Sequence, residues 1–84
     1  MPVDLNRQTE LTEEVMAQIN DMFEYHAWTE EQKIAGVLVR KYLADAVQQI
    51  IKLVPPGPDR STAIRKIREA RMDCNSAITH GGKY

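Results

Sequence analysis

Apolar residues return at helical spacing in three stretches of the chain. Leu11, Val15, Ile19 and Phe23, with Met16 and Met22 beside them, recur every three to four positions and predict a short helix over 10–23. Val39, Leu43, Ala46, Ile50 and Leu53 form a stripe on a longer helix over 29–54, and Ile34, Leu38, Val47, Ile51 and Val54 form a second stripe beside it. Ala63, Ile64, Ile67, Ala70, Cys74, Ala77 and Ile78 mark the apolar face of a third helix over 60–80. No stretch alternates with period two over a useful length, so strands are not expected. The fold class is all-α: a short N-terminal helix, then a long antiparallel two-helix hairpin. One partner helix needs one stripe. The second stripe predicts burial on another side and hence a helical homo-oligomer.

Local signals place the helix ends. Thr9 or Thr12 can cap the first helix, with Glu10, Glu13 and Glu14 favourably placed near its positive end. Thr29-Glu30-Glu31-Gln32 reads as a capping box. Pro55-Pro56 stops the second helix, and Pro55-Pro56-Gly57-Pro58 makes a rigid turn. Asp59, Ser61 or Thr62 is expected to cap the third helix, which Gly81-Gly82 ends. Residues 1–8 are polar, carry Pro2 and are expected to be loose.

The chain has 84 residues and a net charge of −1, which bounds it to one small domain, 1–84, without the basic surface that long nucleic acid requires. A small anionic ligand needs only local positive charge. The single cysteine, Cys74, excludes an intrachain disulfide and fits a reducing compartment. No apolar run is long enough to span a membrane, and Met1-Pro2-Val3-Asp4 lacks signal-peptide character, so a cytoplasmic protein is expected.

The chemistry-bearing residues gather around the start of the second helix. Tyr25 and Trp28 are flat amphipathic rings just ahead of it. Either can staple the helix start to the core, or stack on a planar ligand. Gly36 costs about 1 kcal/mol relative to alanine in a helix interior, which implies close approach to its backbone by another helix or a ligand. Arg40, one turn on, can reach a phosphate from beside that gap. His26 reads as a capping or ligand-contact side chain. Neither histidine nor Cys74 has the neighbours that metal-ligand spacing requires, so no metal site and no cofactor are expected.

Arg60, Arg65, Lys66, Arg68 and Arg71 make the third helix locally basic, with Arg65 and Glu69 at i,i+4 spacing. Arg71 continues the apolar stripe and marks either a subunit interface or the floor of a charged pocket. There is no glycine-rich phosphate loop. Ser61 lacks a base partner and Cys74 lacks an electropositive setting, so no catalytic residues are expected.

The run Phe23-x-Tyr25-His26, Gln32, Arg40, Pro55 to Pro58, Asp59-Arg60-Ser61, then Ala63, Ile67, Ala70, Met72, Asn75, Ala77 and Ile78 resembles the phage helical-hairpin family of cyclic-nucleotide sponges. That family includes anti-CBASS and Thoeris anti-defence proteins. The resemblance covers about residues 23–82. It implies a phage product acting in the host bacterial cytoplasm, assembled as a homo-oligomer, often a hexamer. Such a protein sequesters immune second messengers without cleaving them. By the same resemblance, Tyr25 and Arg40 serve a cyclic dinucleotide pocket between subunits, Thr29 adds a hydroxyl contact, and Arg60 or Arg65 serves a pocket for cyclic trinucleotides. The chain departs from the Thoeris-type pattern Tyr-His-Pro-Pro, having Ala27-Trp28 after the histidine, and carries Arg40 where anti-CBASS members often have lysine. Three further readings accompany the sponge: a sponge for cyclic ADP-ribose isomers, a small helical oligomer that binds another protein, and a small all-helical enzyme with arginine-lined pockets between chains.

Overall fold

A computed structural model describes residues 2–84. They form three α-helices, α1 (Glu13–Phe23), α2 (Glu30–Leu53) and α3 (Pro58–His80), preceded by a single 3-10 turn at Leu5–Arg7. The described residues contain no strand. No helix is long and apolar enough to cross a membrane.

The caps explain the boundaries. Thr12, not Thr9, caps α1, its hydroxyl oxygen accepting from the Val15 N–H at 3.1 Å, so the helix begins at Glu13 rather than at residue 10. At α2 the capping box forms in full: Thr29 Oγ1 accepts from the Gln32 N–H at 3.2 Å, and the Gln32 side chain accepts from the Thr29 N–H at 2.9 Å. α3 starts two residues earlier than expected. None of Asp59, Ser61 and Thr62 caps it; Gly57 precedes it and Pro58 occupies its first turn. Proline fits there because its fixed φ is helical and its missing N–H would have no intrahelical acceptor. At the far end Gly81 adopts φ 61°, and the Gly82 and Gly81 N–H groups donate to Ala77 and Ile78, the paired bonds of a Schellman cap.

The segment ahead of α1, expected to be loose, carries its own contacts over residues 3–8; Met1 lies outside the described residues. The Gln18 side chain meets both backbone groups of Val3, accepting from its N–H at 2.6 Å and donating to its carbonyl at 2.8 Å. Asp4 caps the following 3-10 turn.

α2 and α3 pack along each other, the start of α2 bonded to the end of α3. Gln32 Nε2 donates to the Ile78 carbonyl at 2.9 Å, and at the opposite end Arg60 donates to the Val54 carbonyl at 3.2 Å. Val39, Leu43, Ala46 and Ile50 on α2, and Ala63, Ile64, Ile67, Ala70, Cys74 and Ile78 on α3, are half-buried. Leu53 and Ala77, expected on these faces, are exposed. Of the second stripe Val47 is half-buried, while Ile34, Leu38, Ile51 and Val54 remain exposed.

Two helices can cover each other on one side only. Accordingly, among the described residues Val15 and Gly36 alone are buried, and no side chain is fully enclosed. The radius of gyration is 17.0 Å, against about 12 Å for a compact domain of this length. The accessible surface is 6954 Å², against roughly 5,100 Å² for a compact monomer of this mass.

Candidate functional site

The link between α1 and α2 turns Trp28 back over the first turns of α2. Its indole N–H donates to Thr79 Oγ1 at 2.7 Å, and the Thr79 hydroxyl donates to the Asn75 carbonyl at 2.9 Å. The ring fills the space above Gly36: a Cβ there would lie 2.7 Å from Trp28 Cη2 and closer still to Cζ3. The gap at Gly36, which the sequence assigned to another helix or a ligand, is therefore taken by the chain's own indole. Partial burial of the ring and satisfaction of its N–H fix one wall of a groove.

That groove has a volume of about 310 Å³ and is lined by Trp28, Lys33, Gly36, Val37, Arg40, Arg71 and Asn75. Residues 33, 36, 37 and 40 share one face of α2 at i, i+3, i+4 and i+7, and residues 71 and 75 share one face of α3. No carboxylate lines the groove. Lys33 leans on Glu30 at 3.2 Å, but among the described residues Arg40 and Arg71 form no ion pair. Two guanidinium groups without an ion pair beside an aromatic wall make the groove locally positive on a chain of net charge −1. The lining also lacks imidazole, thiol and hydroxyl groups, so the groove offers charge neutralisation and flat contact rather than an acid–base pair.

Arg71 and Arg40 also border a small apolar seam of about 160 Å³ between α2 and α3. Arg71 and Asn75 continue into a shallow groove of about 400 Å³ along α3, with Arg65, Arg68, Glu69 and Met72. Arg65 and Glu69, expected to pair, share this groove without an ion pair among the described residues.

Of the residues singled out from sequence, Trp28, Gly36, Arg40 and Arg71 come together in one groove, and Arg65 lies in the adjoining one. The others serve elsewhere within the chain. Tyr25 is 92% exposed and lines neither groove. The Thr29 hydroxyl oxygen accepts the α2 capping bond. Arg60 closes the α2–α3 turn on Val54. His26 Nε2 lies 2.7 Å from the Asp21 carbonyl, at the end of α1. Lys33 and Asn75 were not identified from sequence as groove residues. Their signal was periodic: each sits one helical step from a residue already singled out, Gly36 and Arg71.

A separate polar cluster surrounds Asp21. Tyr84 donates its hydroxyl to Asp21 Oδ2 at 2.6 Å, Lys83 Nζ lies 3.3 Å from the same oxygen, and His26 and His80 flank the carboxylate at 3.5 and 3.9 Å. The Tyr84 hydrogen bond, seconded by Lys83, holds the Asp21 carboxyl below its usual value. The same bond to the carboxylate pushes the Tyr84 phenol up to about 12. The sequence argument against a metal site weighed neighbours along the chain. Folding brings donor atoms of Asp21, His26 and His80 within 4.8 Å of one another.

Comparison with protein-family models, with curated proteins and with solved structures finds no match to this chain.

Proposed function

We propose that this protein is a non-catalytic sponge that binds cyclic oligonucleotides, cyclic dinucleotides foremost, and keeps them intact and away from their effectors. The observation that carries the reading is the groove of Trp28, Arg40 and Arg71: two unpaired guanidinium groups, an aromatic wall and no competing carboxylate. Such a surface suits a flat ring bearing phosphates. Rigid helices supply it ready-made, so little binding free energy is spent on ordering it.

At about 310 Å³ the groove is at the low end for a ligand pocket and reads as half of a site. Its Lys33 and Val37 also belong to the exposed apolar patch with Ile34 and Leu38. A second copy docked on that patch would enclose the groove and bring a Tyr25 ring to it, which is how Tyr25 and Arg40 would come to share a ligand. The hexameric hairpin assembly, the phage origin and the host cytoplasm belong to this same reading. Arg65 and the α3 groove are the place for a cyclic trinucleotide.

Calorimetry with a panel of cyclic dinucleotides, cyclic trinucleotides and cyclic ADP-ribose isomers tests the proposal. Recovery of the bound compound chemically unchanged after heat release is expected. Absence of binding to every compound at micromolar protein would refute it. One observation favours a second reading, a homo-oligomeric protein-interaction module: Ile34, Leu38, Tyr42 and Leu53 are all widely exposed. A stoichiometric host protein recovered in a pull-down, with no nucleotide bound, would favour that reading.

A further inference from the structure

The cluster at the end of α1 is chemically unlike the groove. It joins two imidazoles and a carboxylate from three separate elements: Asp21 from the last turns of α1, His26 from the link to α2, and His80 from the final residue of α3. Two nitrogens and one carboxylate oxygen are a donor set suited to borderline divalent transition metals, Zn²⁺ above all.

The distances are wider than a bound ion demands but within reach of it. Ligands bound at about 2.0–2.2 Å with tetrahedral angles stand roughly 3.3–3.5 Å apart. His26 Nε2 is 3.5 Å from Asp21 Oδ1, and His80 Nδ1 is 3.9 Å from Asp21 Oδ2. The two distances run to different carboxylate oxygens, and the three donor atoms lie within 4.8 Å of one another. Binding therefore draws the rings and the carboxylate together by up to about 1.4 Å.

A second observation points the same way. The His80 side chain is only 8% exposed, yet neither ring nitrogen forms a hydrogen bond among the described residues. Its Nδ1 faces the Asp21 carboxylate across a gap too wide for a hydrogen bond. The ring is held by edge contacts, at 5.3 Å from His26 and 5.1 Å from Tyr84 between centroids. The ring is largely covered while its nitrogens keep access to solvent, so Nδ1 is open to an incoming ion beside the carboxylate.

We propose that Asp21, His26 and His80 form a binding site for a divalent transition-metal ion of the Zn²⁺ class. The fourth position is left to water or an outside ligand. Loading exchanges one set of contacts for another. His26 Nε2 gives up the Asp21 carbonyl, the ring proton moving to Nδ1 through solvent, and presents its lone pair to the ion. The Lys83 ammonium, which sits 3.3 Å from Asp21 Oδ2 as the resident cation, is displaced. Tyr84 stays hydrogen-bonded to the carboxylate and orients it from outside. The ion clamps the end of α1 and its link to the end of α3. This site is separate from the groove and stands or falls independently of nucleotide binding.

The test uses the full chain, stripped with a chelator and titrated with Zn²⁺ by calorimetry. One ion per chain is expected. His80→Ala is expected to weaken binding about tenfold or more, and Lys83→Ala to strengthen it by removing the competing cation. On the unmodified chain, Co²⁺ is expected to produce a tetrahedral visible spectrum and to shift the NMR signals of the His26 and His80 rings. No uptake by the stripped chain would overturn the proposal. So would a bound Co²⁺ that leaves both rings unperturbed, a result that does not depend on any variant folding.

Discussion

The indole of Trp28 occupies the volume that a side chain at Gly36 would fill, and its N–H is held by Thr79, 51 residues further along the chain. One ring thus joins the approach to α2, the backbone of α2 and the end of α3. The same ring forms the wall of the groove that Arg40 and Arg71 charge. Stability and candidate site share a part, so substitutions at this point should move both.

Gly36→Ala tests the arrangement directly. In an open helix the change would stabilise by about 1 kcal/mol through helix propensity. Here the new methyl meets ring atoms of a side chain held by a hydrogen bond, and overpacking of that kind costs typically 1–3 kcal/mol. Net destabilisation of up to about 2 kcal/mol is therefore expected, with a shift in Trp28 fluorescence as the ring is pushed out. Denaturant unfolding at fixed protein concentration measures it. A more stable variant with unchanged fluorescence would show that the ring does not sit over Gly36.

The arginines should separate by role. Arg40→Ala and Arg71→Ala each remove a guanidinium from the groove. Loss of a hydrogen bond to a charged group is worth about 1.5–3 kcal/mol, so cyclic dinucleotide affinity should fall roughly ten- to a hundredfold in either variant. Arg60→Ala removes a donor to the Val54 carbonyl instead. It should cost about 0.5–1.5 kcal/mol of stability and leave affinity unchanged. Parallel calorimetry and thermal unfolding of the three variants decide the matter; equal loss of affinity in all three would place the ligand on the α2–α3 turn.

The helices were legible because their signals are local. The Thr29 to Gln32 capping box, the Pro55-Pro56 stop and the Gly81 cap each act within a few residues, and each appears where the sequence puts it. The start of α3 was misplaced because Asp59 and Ser61 are good caps in isolation, while Pro58 already satisfies the first turn. Trp28, Gly36 and Arg40 were legible as a group because they share the start of one helix. Arg71 was noticed as an anomaly in an apolar stripe, but its meeting with Arg40 depends on how α2 and α3 align. The Asp21, His26 and His80 cluster was not legible at all. Its members are 5 and 54 residues apart, and only the packing of the end of α3 against the end of α1 joins them.

The tail contacts give a pH signature. Asp21 has a lowered folded pKa, so its contribution is present above the unfolded value of 3.8 and is lost as pH falls through the folded one. Tyr84 has a raised folded pKa. Its contribution is complete below 10.0 and is lost as pH rises through about 12. The stability that the bond between them adds should be full between about pH 4 and about pH 10 and decline beyond. The bond itself should break only as Tyr84 ionises near 12 or Asp21 is protonated below 3.8. Ultraviolet titration should find one phenol ionising near 12, absent in Tyr84→Phe and moved back toward 10.0 in Asp21→Asn. Absence of any phenol ionising near 12 would show that the tail is not docked on Asp21.

The exposed stripe of α2 should prove to be a contact between copies. The chain exposes 6954 Å², roughly 1,900 Å² more than a compact monomer of its mass, and Ile34, Val37 and Leu38 form a continuous apolar patch within that excess. An excess of that size is within what an obligate oligomer removes from each chain. Leu38 is 44% exposed in the isolated chain, so Leu38→Asp adds a charge that water can solvate there; desolvated against a second copy, the same charge would cost several kcal/mol. Helix content should therefore persist at high concentration while light scattering shows the assembly reduced. Because the patch shares Lys33 and Val37 with the groove, cyclic dinucleotide affinity should fall with the assembly although Arg40 and Arg71 are intact. An unchanged oligomer in Leu38→Asp would move the interface to another face. A dissociated chain with full affinity would show that one groove suffices for the ligand.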